Sequence, residues 1–75
     1  MNIEYNEIKY YQPRFKRWIN SKYWDSISEN LSDIHIDIIT RVMNAEKDSD
    51  CSYIIWKQCD YVLDKIRMIK ERIKF

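Results

Sequence analysis

The chain contains no glycine and a single proline. Tight reversals between β-strands use backbone with positive φ, which glycine supplies without steric cost. A sheet protein of 75 residues would need several such turns. The composition therefore argues for an all-α fold. Helices can stop on asparagine instead, because Asn tolerates the left-handed conformation just past the last turn. Asn20, Asn30 and Asn44 are spaced as such stops.

Apolar periodicity supplies the elements. Ile55, Cys59, Val62, Ile66, Ile69 and Ile73 follow a 4-3-4-3-4 spacing, a heptad seam. Trp56, Leu63 and Ile54 widen it beyond a strict seam, which suits packing inside a bundle. The last helix is expected over residues 51–74, starting after Ser49 or Asp50, at a length of about 36 Å. Ile34, Ile38 and Val42 form one ridge, with Ile39 and Met43 beside it, behind a Ser32-Asp33 cap. That predicts a helix over 33–45. Pro13 is expected at a first helical position, with Gln12 pushed out of the helical region. A helix over 13–30 carries Phe15, Ile19, Tyr23, Ile27 and Leu31 every four residues and has a possible break at 20–21. Before it, Ile3 and Tyr5 alternate as in a strand, while Tyr5, Ile8 and Tyr11 repeat as in a helix. A helix over 3–11, capped by Asn2, is favoured because nothing else offers a strand partner. The expected architecture is a three- or four-helix bundle of one domain, residues 1–75, closed by a long C-terminal amphipathic helix.

A chain this short buries only about 60% of the surface its unfolded form exposes. Net stability should be about 4–11 kcal/mol, with little room for a deep cleft. Three Trp, six Tyr and two Phe exceed what one small core can hide, so some are expected at a surface. Most tyrosines should sit at the core edge with the hydroxyl wet. No apolar run approaches the ~18 residues of a membrane span. Met1 is followed by Glu4 and Glu7 instead of a basic, apolar leader, so the expected location is the cytoplasm. Cys51 and Cys59 on one helix would be separated by about 12 Å of rise, too far for a disulfide. They read as reduced, small apolar residues. The thirteen Ile, with strong Lys, Asn and Tyr usage, fit an AT-rich genome of a bacterium, phage or mobile element.

Net charge is +1, but its distribution is uneven. Lys9, Arg14, Lys16, Arg17 and Lys22 form a basic tract without acids, followed by an acidic middle and then by Lys65, Arg67, Lys70, Arg72 and Lys74. One explanation is internal: the basic ends pair with the acidic middle, and the last bases favour the helix dipole. A second is nucleic-acid binding through Arg14, Lys16, Arg17 and Lys22, interleaved with Phe15, Trp18, Tyr23 and Trp24, and through the tail Lys65, Arg67, Lys70, Arg72 and Lys74. A third is a protein partner. Asp25, Glu29, Asp33 and Asp37 recur every four residues, and such a surface would steer a basic partner, for example a nuclease or another nucleic-acid-binding protein.

Chemistry is sparse. His35 is the only histidine, and Ser32 is near it in sequence alone. A zinc site from His35, Cys51, Cys59 and an Asp lacks any CxxC or HxxxH pair. Without glycine there is no phosphate loop. Asp60 and Asp64, near Lys57 and Lys65, suit i,i+4 helix pairs. No catalytic residue, metal or cofactor is expected. The residues point to a non-catalytic protein-interaction module that binds and regulates or inhibits another protein, of an immunity, antitoxin-like or anti-defence type. Its expected contacts are Arg14, Arg17, Trp18, Tyr23, Trp24, Asp25, Glu29, Asp33 and Asp37. The alternative is a nucleic-acid-binding regulator. A homodimer through the 55–73 seam is a further expectation.

Overall fold

Helices account for 81% of residues 7–73, the part of the chain that the computed structural model describes. They are α1 (Glu7–Ile19), α2 (Trp24–Glu29), α3 (Asp33–Asn44) and α4 (Tyr53–Arg72), with one 3₁₀ turn at Asp48–Asp50. Among the described residues the fold is an all-α bundle with a long C-terminal helix. The helix start expected at residue 3, the Asn2 cap and Lys74 lie outside them.

Pro13 does not open a helix. It lies inside α1, which runs unbroken through Gln12. Proline withholds an N–H from the carbonyl four residues back, here that of Lys9. Both residues are exposed, so the cost falls where water is at hand. On the opposite face Tyr11 and Phe15 are buried. Gln12 adds a tether, because its Nε2 donates to the carbonyls of Val42 at 2.9 Å and Ala45 at 2.8 Å. Both carbonyls lie at the end of α3, where intrahelical donors run out; that of Val42 also accepts from the N–H of the C-cap Ala45 at 3.3 Å. Burial and this tether hold α1 helical across the proline.

The break allowed at 20–21 is real, and residues 20–23 form a turn. There Ser21 Oγ and its N–H both donate to the Trp18 carbonyl, at 2.7 and 3.0 Å. The six-residue α2 is too short to stand alone. Ile27, fully buried, anchors it in the core. Helices do stop near Asn20, Asn30 and Asn44, but not by the expected means, since no described residue has positive φ. Asn30 is right-handed, and its Nδ2 donates to the Ser26 carbonyl at 2.8 Å. After Asn44 the chain turns extended at Ala45.

Ser32 caps α3 as expected, its Oγ accepting from the N–H of His35 at 3.3 Å. The cap of α4 is Ser52, which accepts from the N–H of Ile55 at 3.4 Å. It is not Ser49 or Asp50, because the 3₁₀ turn holds both of those and a buried, extended Cys51 follows. The core takes Phe15 from α1, Ile27 from α2, Val42 from α3, and Cys59, Val62 and Ile66 from α4, each at 0% exposure. Burying a large apolar side chain stabilises by about 1.5–3 kcal/mol. The middle of the seam is thus filled inside the chain, and a second copy could reach only its half-buried members Ile55, Ile69 and Ile73. Two apolar residues expected in the core are not in it, Ile34 and Ile54, at 71% and 69% exposure. At about 100° per residue, Ile34 falls about 40° outside Ile38, on the side away from Ile39.

The loop before α4 is organised by two carboxylates. Asp48 accepts from the N–H groups of Glu7 at 3.2 Å and Ile8 at 3.1 Å, the first turn of α1. Its own carbonyl accepts from Trp56 Nε1 of α4 at 2.8 Å. Asp50 accepts from the N–H groups of Glu46 at 2.8 Å and Lys47 at 3.2 Å.

Replacing Asp48 by Ala leaves the first turn of α1 without its acceptor and is expected to cost about 0.5–2 kcal/mol. Urea unfolding checks this, and an unchanged midpoint would contradict the tether. The N–H groups of Glu46 and Lys47 hold the Asp50 carboxyl below its usual value of 3.8. Its contribution is therefore present above that value and lost as pH falls through the depressed one. Asp50→Asn should unfold earlier than wild type at neutral pH, with the two chains converging in acid. A constant difference down to acid pH would rule out that linkage.

Candidate functional site

The basic-aromatic stretch 14–24 does not form one patch. Phe15 turns inward and is fully buried. Trp18, Tyr23 and Trp24 are half-buried against the core. Arg14, Lys16 and Arg17 are exposed but point to two different grooves.

The first groove lies between α1 and α4 and holds about 510 Å³. Tyr10, Arg14, Arg17 and Trp18 form the α1 wall, and Asp60, Leu63, Asp64 and Arg67 the α4 wall. Arg14 stacks its guanidinium 3.6 Å over the Tyr10 ring and donates to the Tyr10 carbonyl. Stacking and the fixed fork geometry of arginine pre-orient that group. Asp60 accepts from the Tyr11 hydroxyl at 3.1 Å. Asp64 pairs with Arg67 at 3.4 Å, an i,i+3 partner. The expected i,i+4 arrangement with Lys57 and Lys65 is absent, because Lys57 lies over Tyr53 and Lys65 over Tyr61. The second groove, between α1 and α3, holds about 730 Å³ and includes Lys16 with Ile8, Ile19 and Met43.

The C-terminal basic residues also divide. Arg67 joins the α1–α4 groove. Lys70 and Lys22 approach the ring of Tyr23, at 5.2 and 5.3 Å. Lys65 and Arg72 border a hollow of about 240 Å³ with Leu31, His35 and Met68. Two basic tracts far apart in sequence therefore meet at one end of the bundle, where α1 and α4 finish side by side.

The acidic residues occupy two helices, Asp25 and Glu29 on α2, Asp33 and Asp37 on α3, and the turn between them interrupts a single stripe. All four are exposed. Asp37 pairs with Arg41 at 2.8 Å, which raises the arginine pKa. No cation among the described residues pairs with Asp25, Glu29 or Asp33. Pairing of the acidic middle with the basic ends is thus not seen for these three. Ile34, exposed beside Asp33, is a surface residue that periodicity assigned to the core.

His35 is half-buried, with its ring 5.6 Å from that of Tyr61. No group of three His, Cys, Asp or Glu side chains among the described residues is placed to hold a metal ion. Cys51 and Cys59 are both free and buried. Burial pushes the Cys59 thiol up to about 12, and burial raises Cys51 as well. Among the described residues no helix is long and apolar enough to cross a membrane.

Comparison with family models, curated proteins and solved structures returned no match.

A buried thiol held in its neutral form is a poor nucleophile. Iodoacetamide at pH 8 should leave both cysteines unmodified in the native chain and alkylate both in guanidinium chloride. Rapid native labelling of Cys59 would contradict its burial.

Proposed function

We propose that this chain is a non-catalytic binding module. It docks on a basic partner protein through the acidic face of α2 and the first turn of α3, and regulates or blocks that partner. One observation carries the reading: Asp25, Glu29 and Asp33 are exposed carboxylates with no paired cation among the described residues, and Ile34 stands exposed next to Asp33. Charge of one sign steers a partner of the other and sets the on-rate. An apolar residue within that charge supplies area that water leaves on contact.

Carboxylates and phosphates compete for the same lysines and arginines. A protein that handles nucleic acid through a basic surface is therefore the partner class that fits best. The action is occlusion of that surface, which suits an immunity, antitoxin-like or anti-defence role. Reduced cysteines fit the cytoplasm as its setting.

A second reading has its own support. Arg17 and Arg67 share one groove, and Lys22 and Lys70 meet at Tyr23, a basic end on which a nucleic acid could lie. Asp60 and Asp64 in the same groove weaken it, since they repel phosphate.

A photo-crosslinking residue at position 34, in cells that make the chain naturally, should capture a protein with a basic surface. Asp25→Lys with Glu29→Lys should abolish capture while helicity is kept. No captured protein, or capture indifferent to the reversal, would sink the proposal. Oligonucleotide titration at two salt concentrations tests the second reading. Affinity that falls with salt and is lost in Arg17→Glu would favour nucleic acid instead.

A further inference from the structure

The α1–α4 groove has walls of opposite character. Arg14 and Arg17 stand on α1, while α4 carries Asp60, Asp64 and Arg67, a wall that is acidic by one charge. No ion pair joins Arg14 or Arg17 to Asp60 or Asp64, and the pair at this site, Asp64–Arg67, lies within α4. Half-buried Trp18 is the apolar member of the α1 wall, and buried Leu63 that of the α4 wall.

The two helices run in the same direction. Successive contacts climb together: Glu7 and Ile8 at Asp48, just ahead of α4, then Tyr11 at Trp56 and Asp60, then Tyr23, just past α1, at Lys70. The Tyr11 ring stacks 6.2 Å from that of Trp56, which sets the register. Arg14 and Arg17 are separated by about 4.5 Å of rise and Asp60 and Asp64 by about 6 Å. The basic pair and the acidic pair therefore stand at similar heights along the groove.

With Arg67 held by Asp64, the surface still has a basic half and a net acidic half at matching heights, and such a surface is complementary to itself. A two-fold axis along the groove lays α1 of one copy over α4 of the other and keeps the heights. In such an isologous contact every interaction occurs twice. The geometry points to a second copy of this chain as the occupant of the α1–α4 groove. Arg14 and Arg17 of each protomer face Asp60 and Asp64 of the other, and Trp18 is covered between them. This contact uses neither the buried 55–73 seam nor the acidic face of α2, so it stands apart from the proposed partner. Eight residues line the groove, against the roughly 20–30 a side that a stable interface uses. The dimer is accordingly weak, concentration-dependent and sensitive to salt.

Sedimentation equilibrium of the full chain at low salt, up to about 1 mM, tests this. Wild type should show a monomer–dimer equilibrium that shifts to monomer near 1 M salt, where the screening length is about 3 Å. Arg17→Glu alone and Asp64→Lys alone each place like charges together twice, and each should weaken association at least about tenfold. Mixed in equal amounts, they form a heterodimer in which both contacts are restored, and its affinity should return to within a few-fold of wild type. If a reversed chain loses helicity, Arg17→Ala and Asp64→Ala take its place, each expected to weaken association about two- to thirty-fold. A wild type that stays monomeric overturns the proposal. So does a dimer unaffected by the substitutions, or reversed chains that fail to recover when mixed.

Discussion

Asp48 joins the two ends of the fold. Its carboxylate accepts from the first N–H groups of α1, and its carbonyl accepts from the indole of Trp56 on α4. The α1 contacts close a loop of 41 residues for Glu7 and 40 for Ile8. The ordering cost of closing a loop rises only slowly with its length, so one such bracket can organise a large part of a small chain. With the start of α1 pinned to the start of α4, the two helices leave in the same direction. Tyr11 then meets Trp56 and Asp60, and the α1–α4 groove follows.

Much of this fold was legible in the residues. The seam on α4 is legible through Cys59, Val62 and Ile66, because a 3.5-residue repeat leaves few other ways to bury those side chains. Ser32 was legible as a cap because a hydroxyl just ahead of an apolar ridge has a local role. Pro13 departs from the expectation because its penalty is local, whereas its offset is not. The partners of Gln12 lie 30 and 33 residues away, and no spacing rule reports them. Ile34 and Ile54 were assigned inward because periodicity defines a stripe, not the width that a neighbouring helix covers. The asparagines marked where helices stop, since short polar side chains compete for backbone partners at any helix end. They did not indicate how, and left-handed backbone proved unnecessary.

The surfaces were legible in part. Charge tracts are visible in any linear chain, but which members share a face depends on packing. Arg14 and Arg17 parted from Lys16, and Arg67 parted from Lys65 and Lys70, because each helix shows different neighbours on its two flanks. Tyr10, Asp60 and Asp64 were absent from the expected contacts. The Tyr10–Arg14 spacing of four residues was the available signal for one of them, since a ring and a guanidinium one turn apart can stack. For Asp60 the signal was not local, because its partner Tyr11 lies on another helix.

If Asp48 brackets α1 and α4 as described, the Trp56 indole proton is closed off by a bond that only general unfolding opens. Native-state hydrogen exchange of the three tryptophan indoles, followed by NMR across a series of low denaturant concentrations, tests this most directly. The expected result is that the Trp56 indole exchanges last, with the same denaturant dependence as the α4 amides around Cys59, and that Asp48→Ala shortens its lifetime. Exchange of the Trp56 indole at the rate of an exposed indole, with the α4 amides still protected, would contradict the bracket and the register of α1 on α4 that follows from it.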